Sequence, residues 1–358
     1  MDIPTKNIRK IIVTQALPYA NTPLHLGHIL EAVQTDIWTR FQNLNGNECM
    51  FFCADDTHGT PIMLKAKEMD ITPEKLISDM YEDHKQTYEL YGINFTNFYT
   101  THSDENRKHS EEIYLKAKKN KLISKEIVEQ LFDKNEKMFL SDRFIKGSCP
   151  KCEAEDQHGD NCSVCGASYD VLEIKDPISI VSGTTPVMKK SEHVFFDLPK
   201  TIDTLNHFIN KTNLQTPIKN KLKEWLNDDL KKWDISRDAP YFGFEIPGED
   251  NKYFYVWVDA PIGYIASMEN WLKDKKLNAT DIWSKNSDYE IYHFIGKDIA
   301  YFHGLFWPAL LSSANFKLPD GIFVHGFLTI NGEKMSKSKG TGISAKDFAE
   351  MCDPETLR

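Results

Sequence analysis

The sequence predicts an α/β fold in which one sheet is divided between the two ends of the chain by an inserted segment. Three observations support this. Short apolar runs typical of buried strands occur near the start, at 8–13, and near the end, at 291–295 and 321–327. A helical repeat of apolar residues follows the first run. Two Cys-x-x-Cys pairs lie between the two ends of the chain, where the inserted segment is expected.

The first part of the chain is a strand, a loop and a helix. Residues 8–13 predict the buried strand, and residues 16–23, which contain two prolines, predict the loop. A helix then begins near His25, and Gly46 is a suitable end for it. Apolar residues recur along this helix at intervals of three or four, at Ile29, Val33, Ile37, Phe41 and Leu44.

The start of this helix is a candidate anion site. Its first amide N–H groups have no partners within the helix, and the helix dipole places partial positive charge there. His25 and His28 can donate hydrogen bonds to a phosphate, and Gly27 allows a nucleotide to approach the backbone closely. Two ordinary histidines at a helix start are the alternative interpretation.

A second signature lies near the other end of the chain. Residues 332–340 begin and end with glycine and contain Lys334, Lys337 and Lys339. They follow the predicted strand 321–327, and we expect them to form a loop that binds phosphate groups. A solvated basic loop is the alternative.

The two signatures, His-Leu-Gly-His at 25–28 and Lys-Met-Ser-Lys-Ser at 334–338, lie about 300 residues apart and together resemble the class I aminoacyl-tRNA synthetases. Five further segments resemble the methionyl-tRNA synthetase family within that class, and they are 16–21, 53–61, 234–240, 255–264 and 293–298. The resemblance implies a Rossmann-like parallel sheet that binds a nucleotide and is split by a connective insertion with a zinc knuckle. It also implies a methionine-tRNA ligase. Such an enzyme converts L-methionine and Mg-ATP to methionyl-adenylate and pyrophosphate, and then transfers the methionyl group to the 3′ end of tRNA(Met).

The same resemblance implies a role for individual residues. The catalytic group comprises His25, His28, Lys334 and Lys337. Residues that contact ATP are expected to be Gly27, Glu31, Gly296, Asp298, His325, Phe327 and Lys337. The methionine pocket is expected to comprise Ala16, Leu17, Tyr19, Asp56, Trp257, Ala260, Pro261, Tyr264, Ile299 and His303, with Asp56 binding the substrate ammonium.

Physical chemistry supports two of these assignments. Asp298 follows the predicted strand 291–295, and nucleotides bind at the carboxyl ends of strands in open α/β sheets. An aromatic and aliphatic wall suits the polarizable thioether of methionine. For the aromatic residues, plain core packing is the alternative.

The four cysteines of the insertion predict a metal site. Cys149 and Cys152 form one Cys-x-x-Cys pair, Cys162 and Cys165 form the second, and nine residues separate the two pairs. Four thiolates suit one tetrahedral structural zinc ion. A pair of disulfides is the alternative, but nothing in the sequence marks the chain as secreted.

The positions of these signatures suggest four segments. We expect the first half of the catalytic domain at 1–117, the connective insertion at 118–233 and the second half at 234–326. Residues 327–358 would hold the phosphate-binding loop and the start of a stem region. Because Asp353 and Pro354 begin a helix that the sequence does not complete, we expect a catalytic fragment without an anticodon-binding domain, whose contact with tRNA is impaired.

Composition narrows the class of protein. The formal net charge of −10 excludes binding of nucleic acid through a general basic surface, so contact with tRNA must depend on local patches. The start of the sequence has no apolar signal segment, and no run is long enough to span a membrane. The sequence therefore predicts a cytoplasmic enzyme that has no membrane partner.

Other functions could share some of these residues. A small-molecule nucleotidyltransferase could have the His-x-Gly-His motif but would not need the zinc insertion. A non-catalytic, synthetase-like binding protein would be expected to lose the histidines or the loop lysines, and both are present. Class I synthetases for leucine, isoleucine, valine or cysteine are the nearest alternatives.

Overall fold

In the computed structural model, residues 8–159, 161–228, 230–275, 277–330, 333–334 and 343–358 are described. The first part of the chain alternates strands and helices, as predicted. Its elements are β1 (Lys10–Gln15), α1 (Leu26–Leu44), β2 (Glu48–Asp55), α2 (Thr60–Glu68), α3 (Pro73–Leu90), β3 (Asn97–Thr100) and α4 (Asp104–Lys119).

The middle of the chain is mostly antiparallel. The two longest strands of this region, 123–133 and 187–196, are antiparallel neighbours over ten residue pairs. The elements are β4 (Ile123–Asp133), β5 (Met138–Phe139), β6 (Ile145–Ser148), β7 (Gln157–His158), β8 (Lys175–Ser179), β9 (Val187–Phe196), α5 (Ile202–Lys211), β10 (Asn213–Leu214), α6 (Thr216–Asn227), β11 (Trp233–Asp234), β12 (Ser236–Asp238) and β13 (Lys252–Phe254).

The last part returns to the alternating pattern. It contains one π-helical turn, Phe302–Phe306, directly before a helix. The elements are α7 (Val256–Asp259), α8 (Gly263–Leu272), α9 (Ala279–Ile282), β14 (Tyr289–Gly296), α10 (Trp307–Ser313), β15 (Gly321–His325), β16 (Thr329–Ile330), β17 (Glu333–Lys334) and α11 (Ala345–Met351). No helix among the described residues is long and apolar enough to cross a membrane.

Six strands form one parallel sheet in the order β10-β15-β14-β1-β2-β3. The predicted α/β fold with a parallel central sheet is therefore confirmed. Residues 11–15 of β1 are all buried, as expected for a central strand covered on both faces. From β1 the chain adds β2 and β3 on one side, and later adds β14, β15 and β10 on the other. The direction of strand addition reverses at β1 and β14, and this reversal opens a crevice at their carboxyl ends.

The region between the two halves of the sheet has a core of its own. The cluster contains nine buried residues, which are Leu131, Met138, Leu140, Phe144, Ile145, Cys149, Cys162, Tyr169 and Ile174. By contrast, α5 and α6 pack their apolar faces into the main core, and β10 joins the parallel sheet, although all three lie within 118–233. The four segment boundaries remain a prediction.

The apolar stripe predicted for α1 is only half buried. Ile29 and Val33 are in the core, whereas Ile37, Phe41 and Leu44 are 44%, 59% and 87% exposed. The second half of the helix turns polar residues inward instead, at Thr35, Asp36, Thr39 and Gln42. Asp36 accepts hydrogen bonds from Arg40 and Arg358 at 2.7 and 2.8 Å, so its buried charge is compensated.

Candidate active site

A cavity of about 1340 Å³ lies at the carboxyl edge of the parallel sheet, where the strand order reverses. It is lined by Ala16 after β1, Asp56 after β2, Gly296 at the end of β14 and His325 at the end of β15. The structure brings eighteen of the predicted site residues to this one cavity. They are Ala16, Leu17, Tyr19, His25, Gly27, His28, Glu31, Asp56, Trp257, Ala260, Pro261, Tyr264, Gly296, Asp298, Ile299, His303, His325 and Phe327.

Two predicted residues are not among the described residues that line this cavity. Lys337 lies outside the described residues. The backbone of Lys334 is described, in β17, which pairs with β16 two residues beyond Phe327. The phosphate-binding role of the second signature therefore remains a prediction.

The two histidines of the first signature form the start of α1. His25 is the N-cap residue, and its Nδ1 accepts a hydrogen bond from the Gly27 N–H at 3.0 Å. The Nδ1 of His28 accepts from the His25 N–H at 3.3 Å, and the two rings stack with their centroids 3.8 Å apart. Because both Nδ1 atoms act as acceptors, the hydrogen of each neutral ring is on Nε2. The histidines are therefore in the tautomer that can donate from Nε2.

Glu31 joins the two halves of the sheet. It is 7% exposed, and its Oε1 accepts from the Ala16 N–H at 2.6 Å while its Oε2 lies 2.9 Å from His325 Nε2. Burial raises the pKa of Glu31, and the hydrogen bond from His325 opposes that rise. Burial alone would lower the pKa of His325, but Glu31 outweighs it and raises that pKa. Both carboxylate oxygens thus contact the chain, and the ribose contact of Glu31 stays a prediction.

Asp298 lies beside the glycine that ends β14. A Cβ at Gly296 would come within 2.5 Å of Asp298 Oδ1, so a larger residue at 296 would require this carboxylate to move. Asp298 is in the short 3₁₀ turn Lys297–Ile299 and lines the cavity. An exposed carboxylate at the end of a central parallel strand is well placed to accept hydrogen bonds from a ribose.

Asp56 lies directly after β2 and is 7% exposed. Among the described residues, its Oδ1 has no hydrogen-bond partner. Burial, helped by the nearby charge of Asp259, raises the pKa of Asp56 well above its usual value. A buried carboxylate with an unused oxygen in a cavity is a suitable partner for a cationic group such as an ammonium.

The predicted methionine pocket has a rigid aromatic wall. His303 Nδ1 approaches the Ile299 carbonyl at 3.3 Å, so His303 Nε2 accepts from the Tyr264 hydroxyl at 2.9 Å. Burial lowers the pKa of His303 to about 4, which keeps the ring neutral near pH 7. The Trp257 ring stacks on Phe302, with the centroids 4.1 Å apart. The pocket is therefore apolar and uncharged apart from Asp56.

The middle region of the chain covers one side of the cavity. Gln130 of β4 and Phe139 of β5 both line it, as does Arg143 in the turn before β6. Residues of the middle region thus form part of the lining of the cavity.

Sequence reasoning missed several residues at or near the site. Arg237 lines the cavity and lies 3.9 Å from the centre of the Tyr255 ring, as a cation–π contact requires. Tyr241 also lines the cavity, and no local sequence pattern indicates it. His58 and Asp259 are completely buried, and each directly precedes a lining residue, Gly59 or Ala260. All four lie in or next to the segments that carry the family resemblance, but periodicity and spacing do not single them out.

The four predicted metal ligands come together at one point. Their sulfur atoms all lie within 4.8 Å of one another, and the Cys149–Cys165 and Cys152–Cys162 sulfur distances are 3.8 and 3.6 Å. Four sulfurs about 2.3 Å from a central zinc ion would be roughly 3.8 Å apart at the corners of a tetrahedron. None of the four forms a disulfide. The cluster can therefore hold a metal ion, and its geometry suits zinc.

Comparison with known protein families gives a match over nearly the whole chain. The sequence model of a family described as tRNA synthetases class I (M) matches residues 11–358.

Two solved structures share this fold. Both are of methionyl-tRNA synthetase from Mycobacterium tuberculosis with methionyl-adenylate bound. Each is 24% identical to this chain and superimposes with a TM-score of 0.75. The matches cover 97% and 98% of this chain and 63% of each solved chain, so this chain spans less than two thirds of those proteins.

Proposed function

Since this chain belongs to the class I tRNA synthetase family, we propose that it activates L-methionine with ATP to give methionyl-adenylate and pyrophosphate. The observation that carries this proposal is the single cavity that joins the His25–His28 helix start to the apolar pocket around Asp56. The solved structures of similar fold have methionyl-adenylate bound, which agrees with that chemistry. Transfer of the methionyl group to tRNA(Met) is the second step that we propose for the whole protein.

The reaction needs no covalent bond to the protein. A carboxylate oxygen of methionine attacks the α-phosphorus of ATP, a new O–P bond forms, and the bond to the β-phosphate breaks to release pyrophosphate. Catalysis then depends on alignment and on positive charge near the phosphates. We propose that His25 and His28 donate from Nε2 to the phosphates and that Lys334 and Lys337 act from the opposite side. The Mg²⁺ that accompanies ATP would neutralise part of the phosphate charge.

The amino-acid end of the cavity supports methionine as the substrate. Asp56 would accept the ammonium, and the Trp257, Tyr264 and His303 wall would contact the flexible thioether. We also propose that Cys149, Cys152, Cys162 and Cys165 bind one structural zinc ion. All four ligand positions would be filled by sulfur, which leaves no position for a substrate.

Amino-acid-dependent exchange of pyrophosphate into ATP tests the proposal. Methionine, leucine, isoleucine, valine and cysteine are each supplied to the chain, with Lys337→Ala as the control variant. We expect exchange with methionine alone and its loss in the variant. Exchange with another of these amino acids would identify that amino acid as the substrate. An absence of exchange with all five would refute the proposed activity.

A second experiment examines Asp56. An amide cannot supply the negative charge that a buried ammonium needs, and a charged hydrogen bond contributes about 1.5 to 3 kcal/mol. Asp56→Asn should therefore raise the KM for methionine by roughly 10- to 100-fold, since 1.4 kcal/mol corresponds to tenfold. The KM for ATP should change less than about twofold. An equal rise in both constants would contradict the assignment of Asp56 to the ammonium.

A further inference from the structure

We propose that His58 and Asp259 are a positioning pair that holds Asp56 and Tyr19 in the arrangement that recognises the ammonium group of the amino acid. The inference rests on the proposed function and adds two residues that do not touch the substrate. Neither His58 nor Asp259 lines the cavity, although their neighbours Asp56, Gly59 and Ala260 do.

The pair is completely buried. His58 is 0% exposed and Asp259 is 1% exposed, and His58 Nδ1 forms a short hydrogen bond with Asp259 Oδ2. The other ring nitrogen of His58, Nε2, lies 3.0 Å from His102 Nδ1. A buried carboxylate is costly without a partner, so His58 and Asp259 fix each other's position. The ring of His58 is further confined by edge contacts with Phe242 and Phe244.

The backbone of His58 connects this pair to the substrate pocket. Its carbonyl oxygen accepts a hydrogen bond from the Tyr19 hydroxyl at 2.6 Å. Its N–H, two residues beyond Asp56, opposes the rise in the pKa of the Asp56 carboxyl. The next residue, Gly59, donates its N–H to the Phe242 carbonyl at 2.9 Å. A displacement of the His58 backbone would therefore disturb the acceptor of the Tyr19 hydroxyl and the surroundings of the Asp56 carboxyl together.

Asp259 connects the same pair to the opposite wall of the pocket. It ends the short helix α7, which also carries Trp257, and it directly precedes Ala260 and Pro261 of the cavity lining. Asn106 donates from Nδ2 to the Asp259 carbonyl at 3.2 Å, which anchors the end of the helix. The side-chain bond between His58 and Asp259 thus sets the spacing between the ammonium-binding carboxylate and the apolar wall.

Electrostatics add a second route for the same effect. Burial raises the pKa of Asp56, and the charge of Asp259 raises it further. Burial also raises the pKa of Asp259, and His58 opposes that rise. If His58 is lost, the Asp259 carboxylate loses its buried hydrogen-bond partner. The uncompensated charge of Asp259 then makes ionisation of the neighbouring Asp56 less favourable.

The test compares methionine with 4-(methylthio)butanoate, which lacks only the ammonium group. For the chain and each variant, the two affinities are measured by calorimetry or as inhibition of exchange, and their ratio reports recognition of the ammonium alone. In His58→Ala we expect the ratio to fall at least tenfold, mainly through weaker methionine binding. In His58→Asn, whose Nδ2 takes the place of Nδ1, the ratio should stay within about threefold of the unchanged chain.

Controls separate positioning from general damage. His109→Ala removes another completely buried histidine that bonds a carboxylate, Glu269, in a part of the chain away from the cavity. It should leave the ratio unchanged even if it lowers stability. Asp259→Asn keeps the shape of the partner and tests the pair from its other side, so a failure of His58→Ala to fold does not end the test. In Asp259→Asn the ratio should also fall, because an amide holds His58 less firmly than a carboxylate does. Removal of the Asp259 charge by itself would favour ionised Asp56 and raise the ratio, so a fall reports loss of positioning.

Two results would overturn the inference. If both His58→Ala and Asp259→Asn lower the affinities for methionine and 4-(methylthio)butanoate equally, the pair is only structural. If the affinity ratio falls as much in His58→Asn as in His58→Ala, the hydrogen bond to Asp259 is not what positions Asp56. An unchanged chain that shows no methionine-dependent exchange would instead refute the proposed function, before any variant is compared.

Discussion

At the scale of single residues, burial sets the charge of the groups around the cavity. It raises the pKa of the Glu31 and Asp56 carboxyls and of the Tyr19 and Tyr264 hydroxyls. It lowers the pKa of the neighbouring histidine His303 to about 4. Concentration of shifted groups in one cleft is typical of functional sites. A neutral His303 suits an apolar pocket, because a buried imidazolium would compete with a substrate cation for Asp56.

The shifted pKa of His303 has a consequence for stability. Between about pH 6.5 and about pH 4 the unfolded chain binds a proton at this histidine that the folded chain does not, so the free energy of unfolding falls as the pH falls. A shift from 6.5 to about 4 corresponds to about 3 kcal/mol, which is fully present above pH 6.5.

A matched variant isolates this effect. His303→Gln has no titrating ring but keeps an acceptor for Tyr264. Its free energy of unfolding in urea should lose about 3 kcal/mol less than that of the unchanged chain between pH 7 and pH 4. Equal losses would mean that His303 does not carry this pH dependence.

At the scale of elements, the start of α1 combines a helix cap with a candidate phosphate site. The Nδ1 of His25 caps the helix, and the stack of His25 on His28 fixes the direction of both rings. Gly27 makes this possible, because a Cβ there would lie 2.8 Å from His25 Cε1. The anion site at this helix start stays a prediction, and the role of the two histidines with phosphate is part of the proposed function.

The variant Gly27→Ala tests the role of the start of α1. The added methyl group must push the His25 ring from its cap, which costs about 1 kcal/mol, whereas alanine gains up to about 1 kcal/mol in a helix over glycine. Stability measured by thermal melting should therefore change little. The rate of methionine-dependent exchange should fall at least tenfold, since the His25 Nε2 donor is displaced. An unchanged exchange rate would show that the position of His25 does not matter for the reaction.

At the scale of the whole molecule, two of the hydrophobic cores lie in different regions of the chain. The main core supports the parallel sheet and the cavity, and it includes Trp233, Trp283 and Trp307. The smaller core of the middle region includes two of the four metal-ligand cysteines, Cys149 and Cys162. All seven tryptophans lie outside residues 131–181, where the smaller core is located.

This separation predicts how the protein responds to removal of the zinc ion that we propose for the four cysteines. A chromophoric chelator should remove one zinc ion per chain, and the residues around the four cysteines should become sensitive to protease because the small core depends on the metal. Tryptophan fluorescence should remain that of the folded protein. A parallel loss of the tryptophan signal would show that the two cores unfold as one unit.

Sequence patterns were sufficient wherever the physics is local. The Cys-x-x-Cys spacing indicated the metal cluster, the apolar runs indicated β1, β14 and β15, and the composition around His25 indicated the helix start. The family resemblance added the pocket residues, and the structure brings them to one cavity. Periodicity was less informative for α1. Which side chains of its second half are buried depends on the elements packed against the helix, and a repeat along the sequence does not specify them.

The sequence by itself thus determined the α/β class, the cysteine cluster and the two signatures, because spacing along a chain fixes which residues share a helix turn or a knuckle. Only the tertiary structure decided the strand order and the contacts across it. Glu31 meets His325 across 294 positions, and His58 meets Asp259 across 201. Such pairs form because segments that are far apart in the sequence meet at one edge of the parallel sheet, and no local pattern encodes that meeting.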